Sequence, residues 1–311
     1  MLQAPAMTDL IPTARGCVNT WQCDENEHLN VQYFPAFAWD GARHLEAVLG
    51  LGPRALAAAG LKVRTVEDHI RYHREMFAAD AWEVASGPVE IGESTLVAYH
   101  EIRNALSGEV AGTVRQVTRC VDGGGKAAAW PPAFRTHAKA TRVTLPANAQ
   151  PRTAGSLGSL PDLTLDRAAA AGLVTIVQGV VQPEECDADG ALLPRFHFGR
   201  YSDGAPGFWQ AMGFDRLSMR DRQQGTVVLE LRNEIRRPLR AGALTVVMSG
   251  MLAASDKTMH LAHFLFDADS GELAAVADGV GVLFDQRIRK IAPFTAEDRE
   301  RLAARILRLA A

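Results

Sequence analysis

Read for its hydrophobic and polar positions, the chain falls into two stretches that follow the same plan. The first begins with a short strand-like run, Gly16–Trp21, passes a turn rich in Asp and Asn, and continues into a long apolar segment, Tyr33–Leu49. Phe34, Phe37, Ala38, Leu45, Val48 and Leu49 place apolar side chains on most faces of that segment, which predicts a buried helix. Pro35 falls in its first turn, where a missing N–H is tolerated. The period then shortens to two over Val66–Arg74, Trp82–Val89, Thr95–Asn104 and Gly112–Val121, predicting four strands. In the second stretch a strand at Thr175–Val181, an Asp-rich turn and an apolar segment lead to strands at Val227–Ile235, Leu244–Leu252, Thr258–Phe266 and Ala274–Phe284. Ser107-Gly108 and Ser270-Gly271 fit hairpin turns.

Sliding the chain against itself by 163 residues superposes these stretches without a gap. Val18, Cys23, Asp24, Leu29, Asp40, Gly41, Ala42 and Gly50 then fall on Val181, Cys186, Asp187, Leu192, Asp203, Gly204, Ala205 and Gly213. Further on, Glu67, Arg74, His100 and Asp122 meet Glu230, Arg237, His263 and Asp285. The chain is a duplication with two copies, a fused pair of domains and not a solenoid. The fold class is α+β: two tandem domains, each a long buried helix wrapped by an antiparallel sheet. The pattern predicts an N-terminal domain over 1–130, a linker over 131–172 and a C-terminal domain over 173–311. WPP, TLPANAQP and TAGSLGSLPD give the joining region its linker composition. Gly123–Lys126 is not a phosphate loop, since it lacks the second Gly spacing and the following Ser or Thr. The C-terminal tail predicts a helix capped by Thr295, with Leu302, Ile306 and Leu309 on one face.

Charge narrows the partners. A net charge of -3 and a pI near 6.3 provide no field to gather phosphate backbones, so nucleic acid is not expected. Cys17, Cys23, Cys120 and Cys186 show neither C-x-x-C nor zinc-finger spacing, so neither metal nor another cofactor is implied. No basic leader with an apolar run opens the sequence, and no stretch approaches the roughly 18 apolar residues of a membrane helix. A soluble cytoplasmic protein without membrane association is the expectation.

The densest polar cluster is Asp24-Glu25-Asn26-Glu27-His28-Leu29-Asn30, between the first strand and the buried helix. Polar groups there face the positive end of a helix, where an oxyanion can be held, as acyl transfer requires. A second candidate is Glu75 in Tyr72-His73-Arg74-Glu75, at a strand end. Taken singly, each has an ordinary role: Asp24 and Asn26 as turn formers or caps, His28 as a satisfied buried histidine, Glu75 as a solvated charge. The second copy diverges here: Ala191 replaces His28, Leu193 replaces Asn30 and Pro238 replaces Glu75, while Asp189 stands at the Asn26 position. Asp189 is either a second catalytic carboxylate or a turn former. His69 and His73 are four apart, but a strand and the lack of a carboxylate partner argue against metal. Arg195, Arg200, Arg232, Arg236, Arg237 and Arg240 suit either a carrier phosphate or a solvated face.

DENEHLN running into a buried helix, followed by YHRE, resembles the tandem hotdog-fold acyl-carrier-protein thioesterases of plants. The first motif also resembles Asp-x-Asn-Gly-His-Met-Asn of bacterial acyl-CoA thioesterases in the 4-hydroxybenzoyl-CoA thioesterase-like group, with Glu27 standing where that pattern has Gly. The resemblance implies a double hotdog forming an intrachain pseudo-dimer and an acyl-CoA substrate, or less favourably an acyl-carrier protein. It also implies catalytic positions at Asp24, Asn26, His28 and Glu75, with Asp189 as the second-copy carboxylate, and substrate-binding positions at Asn30, Tyr33 and Arg74. Glu75 or His28 would activate water, Asn26 and helix-end amides would hold the oxyanion, and Asp24 would orient its neighbours. The rival readings are acyl-CoA hydration or dehydration on the same fold, whose pattern places its His one residue later, and a silent acyl-CoA-binding module. Fused hotdog units usually associate further, so a homodimer or higher homo-oligomer is expected.

Overall fold

The computed structural model describes residues 10–156 and 158–309, and the chain divides after Gln150 into two compact units. The opening residues read above for a leader lie partly outside the described residues.

The first unit comprises β1 (Ile11–Cys17), α1 (Tyr33–Val48), α2 (Pro53–Ala58), β2 (Leu61–Tyr72), β3 (Ala81–Ile91), β4 (Thr95–Asn104), β5 (Val110–Asp122) and α3 (Pro132–Ala140). Its five strands form an antiparallel sheet in the order β1-β3-β4-β5-β2. Phe34, Phe37, Ala38, Leu45 and Leu49 bury the inner side of α1, and Phe37 stacks on Trp82 with centroids 3.9 Å apart. Burying one such side chain stabilises the unit by about 1.5–3 kcal/mol. Gly50, at φ 94°, ends α1 by donating its N–H back to Ala47 O at 3.0 Å, a left-handed stop that glycine adopts without a Cβ clash.

The second unit comprises α4 (Leu165–Ala170), β6 (Val174–Val180), α5 (Pro194–Ala211), α6 (Arg216–Asp221), β7 (Gln224–Ile235), β8 (Leu244–Ala254), β9 (Met259–Asp267), β10 (Leu273–Asp285), β11 (Lys290–Ala292) and α7 (Ala296–Ala303). Its main sheet repeats the order as β6-β8-β9-β10-β7, with β11 on β10. Even the bulges recur in register: those at Pro12/Ala14, Thr65/Glu67 and Pro88/Glu90 reappear at Thr175/Val177, Val228/Glu230 and Met251/Ala253. Each unit is a hotdog, a long helix wrapped by an antiparallel sheet.

Several elements fall elsewhere than the pattern predicts. The first strand runs Ile11–Cys17, not Gly16–Trp21, because Asn19 and Gln22 close a capping box that turns Thr20–Gln22 into a 3-10 turn. The segment 131–172 holds α3, whose Phe134 and Ala138 join Trp130 and Leu45 in the core, and α4, whose Ala168 packs with Phe264. The tail helix has its Thr295 cap but ends at Ala303; Ile306 lies beyond it, bridging to Met251.

Candidate active site

Asp24 builds the turn that carries the polar cluster. Its N–H donates to His28 O (2.9 Å), its carbonyl accepts the Glu27 N–H (3.0 Å), and its Oδ1 accepts the Asn26 N–H (2.8 Å). Closing so tight a loop puts Glu27 at φ 64°, in the left-handed region, which costs a residue with a Cβ roughly 1–2 kcal/mol. In the second unit Gly190 takes the same place at φ 75°. Glu27 therefore keeps the loop frame that a glycine would adopt freely.

The turn is then stitched to the segment after β2. Leu29 N–H donates to Met76 O at 2.7 Å, and His28 bridges Phe77. This stitching brings Glu75 to His28. The imidazole lies between two carboxylates, Nδ1 3.4 Å from Asp24 Oδ2 and Nε2 3.8 Å from Glu75 Oε1. The side chain of His28 is 10% exposed, that of Asp24 14% and that of Glu75 29%, with Glu75 Oε1, the oxygen nearest His28, itself buried. Burial pushes the Asp24 carboxyl above its ordinary range, opposed by the charge of His28 and the Asn26 N–H. Glu75 sits in the loop beyond β2, which ends at Tyr72 and not at Arg74, so the strand end expected to carry Glu75 falls short of it.

The remaining predicted residues divide by position. Asn30 organises the start of α1: its Oδ1 accepts the Gln32 N–H (3.1 Å) and its carbonyl accepts the Tyr33 N–H (3.0 Å). Tyr33 opens the helix, its ring 6.5 Å from Phe37. Because the Tyr33 N–H is engaged and Pro35 has none, fewer first-turn amides are available to an oxyanion than the sequence implies. Arg74 is exposed and directs its guanidinium to Glu109 at 3.5 Å. Tyr72, quoted in the motif but given no role there, ties β2 to the helix start: its hydroxyl donates to Val31 O at 3.4 Å and its ring meets Phe34 edge-on.

The second unit keeps the loop without the imidazole and the second carboxylate. Asp187 N–H donates to Ala191 O (2.8 Å), Asp187 Oδ1 accepts from Asp189 N–H (2.9 Å), and Leu192 N–H donates to Leu239 O (2.8 Å). Asp189 thus occupies an intact turn, its carbonyl accepting from Arg240 at 2.9 Å, with Ala191 and Pro238 where the imidazole and carboxylate would be. The arginines considered for a phosphate are mostly engaged within this unit: Arg200 with Glu185 (2.8 Å), Arg232 and Arg236 with Glu234 (2.7 and 3.0 Å), and Arg237 with Glu272. His73 Nε2 lies 3.1 Å from Thr113 Oγ1, and among the described residues no group of three or more His, Cys, Asp or Glu is arranged to hold a metal ion. No described helix is long and apolar enough to cross a membrane.

A second polar pair, which sequence reasoning registered only as matched histidines, is buried in each sheet: Ser86 Oγ with His100 Nδ1 (2.7 Å) and Ser249 Oγ with His263 Nδ1 (2.6 Å). Burial holds both imidazoles down to about 3, with Arg43 adding to the effect at His100.

The sequence profile of the thioesterase-like superfamily matches residues 18–137 and 181–304, once in each unit. No curated protein matches the sequence. Among solved structures, similarity extends over 88% of this chain and nearly all of each counterpart. A protein of Lactobacillus plantarum described as an oleoyl thioesterase has TM-score 0.67, 11% identity and 96% of its chain covered. An acyl-ACP thioesterase of Bacteroides thetaiotaomicron has TM-score 0.63, 8% identity and 98% covered. A 12:0-ACP thioesterase of Umbellularia californica has TM-score 0.64, 11% identity and 94% covered. At these identities the likeness is one of fold.

Proposed function

The chain belongs to the thioesterase-like superfamily, and from that premise we propose that it hydrolyses an acyl thioester to a free acid and a thiol, with acyl-CoA as the carrier in preference to acyl-carrier protein. The observation that carries this reading is the His28 imidazole held between Asp24 at 3.4 Å and Glu75 at 3.8 Å, with Glu75 the most exposed of the three side chains. Glu75 accepts a proton from a water, and His28, oriented by Asp24, steadies that carboxylate and the incoming hydroxide. At 3.8 Å the His28–Glu75 pair is longer than a hydrogen bond, a gap that one water or a small closure on substrate fills. The hydroxide adds to the thioester carbonyl, the tetrahedral oxyanion is held by the Asn26 carboxamide, and the C–S bond breaks as the proton returns from Glu75 to the thiolate. Asn30 and Tyr33 shape the acyl mouth at the start of α1. Asp189 we assign to its turn, since Ala191 and Pro238 leave it no acid–base partner.

The test is a panel of acyl-CoAs with a thiol-reactive dye, run on the wild type and on His28→Ala and Glu75→Ala. Thiol release by the wild type and a sharp loss in both variants, at unchanged circular dichroism, supports the proposal. Hydration without thiol release, binding without turnover, or full activity in both variants would overturn it.

A further inference from the structure

The two units fill the space between helix and sheet in opposite ways. On the helix-facing side of the first sheet, Asp68 of β2 pairs with Gln116 of β5; Thr118 lies in the next row, and His100 faces Val114 from β4. From α1 the ion pair Arg43–Glu46, at 2.6 Å, comes down on the same side, close enough for Arg43 to depress His100 and for Glu46 to raise Cys120. Glu46 is 2% exposed, and Asp68, His100, Gln116 and Thr118 at most 1%. In the matched register the second unit has Leu231, Gly279, Gly281 and Trp209 at the positions of Asp68, Gln116, Thr118 and Glu46. A Cβ on Gly279 would meet Leu231 at 2.5 Å and one on Gly281 would meet Trp209 at 3.2 Å, so apolar bulk occupies what the first unit gives to polar side chains.

Those polar side chains hold hydrogen-bonding capacity that no described residue uses. Thr13 Oγ1 donates to Val84 O, so the Ser86 hydroxyl donates to Thr13, and His100 Nδ1–H donates to Ser86; this leaves Nε2 of the neutral imidazole as a buried acceptor without a partner. Gln116 Nε2 donates to Asp68 Oδ1 at 2.8 Å, which leaves Gln116 Oε1 and Asp68 Oδ2 unpartnered, and Thr118 Oγ1 is unpartnered beside them. Unpaired polar atoms in an interior cost free energy that a ligand's donors would recover. The row is also connected to the proposed site. Asp68, Ile70 and Tyr72 share one face of β2, about 13 Å at ~3.3 Å per residue, and Tyr72 reaches the helix start through Val31.

Resting on the hydrolytic reading above, we propose that the helix–sheet interior of the first unit, lined by Asp68, His100, Gln116 and Thr118, is the specificity end of the acyl site and selects acyl groups that carry hydroxyl donors away from the thioester over plain alkyl chains. His100 Nε2 and Gln116 Oε1 accept, Asp68 Oδ2 accepts when ionised and donates when protonated, and Thr118 offers a hydroxyl, so the complementary ligand carries hydroxyls, which both donate and accept.

The experiment measures binding to full-length His28→Ala, so that recognition is read apart from turnover. A saturated acyl-CoA of medium chain length is compared by calorimetry with its distal hydroxy analogue. The hydroxylated ligand binds at least about 100-fold more tightly, because a site built to hydrogen-bond a hydroxyl rejects the analogue lacking it. Adding Asp68→Leu with Gln116→Gly, the residues of the second unit, abolishes the preference. If that combination does not fold, Thr118→Val, nearly equal in volume, decides alone by cutting the preference about tenfold. Equal or tighter binding of the alkyl ligand, a preference untouched by Thr118→Val, or a crystal structure in which waters alone partner these atoms while the acyl chain lies elsewhere would each overturn the proposal. A preference found in a protein that releases no thiol would remove the hydrolytic reading and leave this one standing; turnover without a preference would do the reverse.

Discussion

Replacing Asp68 by Asn removes a carboxyl that the fold ionises against resistance. Asp68 is fully buried on β2; burial, aided by the charge of Glu67 and opposed by the Gln116 hydrogen bond, raises it from 3.8 to about 7. A folded value above the unfolded one means that the native state favours the protonated form. The stability this contributes is fully present below about pH 4, is lost as pH rises toward about 7, and changes no further above that. A shift of about three units at 1.36 kcal/mol each corresponds to about 4 kcal/mol between the two limits. Asn keeps the shape and offers its Oδ1 to Gln116 Nε2 but does not titrate. Asp68→Asn is therefore expected to stabilise the protein by about 2–4 kcal/mol near pH 8 and by only about 1 kcal/mol or less near pH 4.5. At roughly 2–4 °C per kcal/mol, the gain in Tm at the higher pH is about 5–15 °C. Thermal melts followed by circular dichroism at both pH values measure it. A gain of the same size at both, or none at either, would refute the reasoning, since only a titrating interior carboxyl makes the effect depend on pH.

Three further outcomes test the site. Glu75→Gln and His28→Ala each lower kcat by about 10²–10⁴-fold, measured by thiol release, with the melting curve close to wild type. Because burial raises Asp24 and its ionised form orients His28, the Asp24 contribution to the acid fall in kcat/KM lies above the ordinary Asp range near 3.9, and Asp24→Asn removes that contribution along with most of the rate. Glu27→Gly relieves the left-handed strain at φ 64° while adding freedom to the unfolded chain, so chemical denaturation finds a small net gain of about 0.5 kcal/mol, and a loss above about 1 kcal/mol would show that the Glu27 side chain is needed in the loop.

The order of elements and the helix–strand periods were legible in the sequence because each depends on short-range patterning, apolar residues on most faces of Tyr33–Val48 and alternation over Thr95–Asn104, and the duplication because a register runs without a gap from Val18–Asp122 onto Val181–Asp285. The family followed from DENEHLN and YHRE, since a tight Asx turn and a helix start are built by neighbouring residues. What periodicity does not encode is where a loop returns in space. The Leu29–Met76 hydrogen bond, not any property of YHRE, carries Glu75 beyond the end of β2 and within 3.8 Å of His28. Tertiary packing also took α3 out of an apparent linker and into the core through Trp130, Phe134 and Ala138. Most of all, Glu46, Asp68, Gln116 and Thr118 read in sequence as ordinary polar positions on separate elements. Only the sheet register and the position of α1 bring them into one buried row, because cross-strand pairing joins residues far apart in the chain and burial, not residue type, decides what a carboxyl or a hydroxyl can do there.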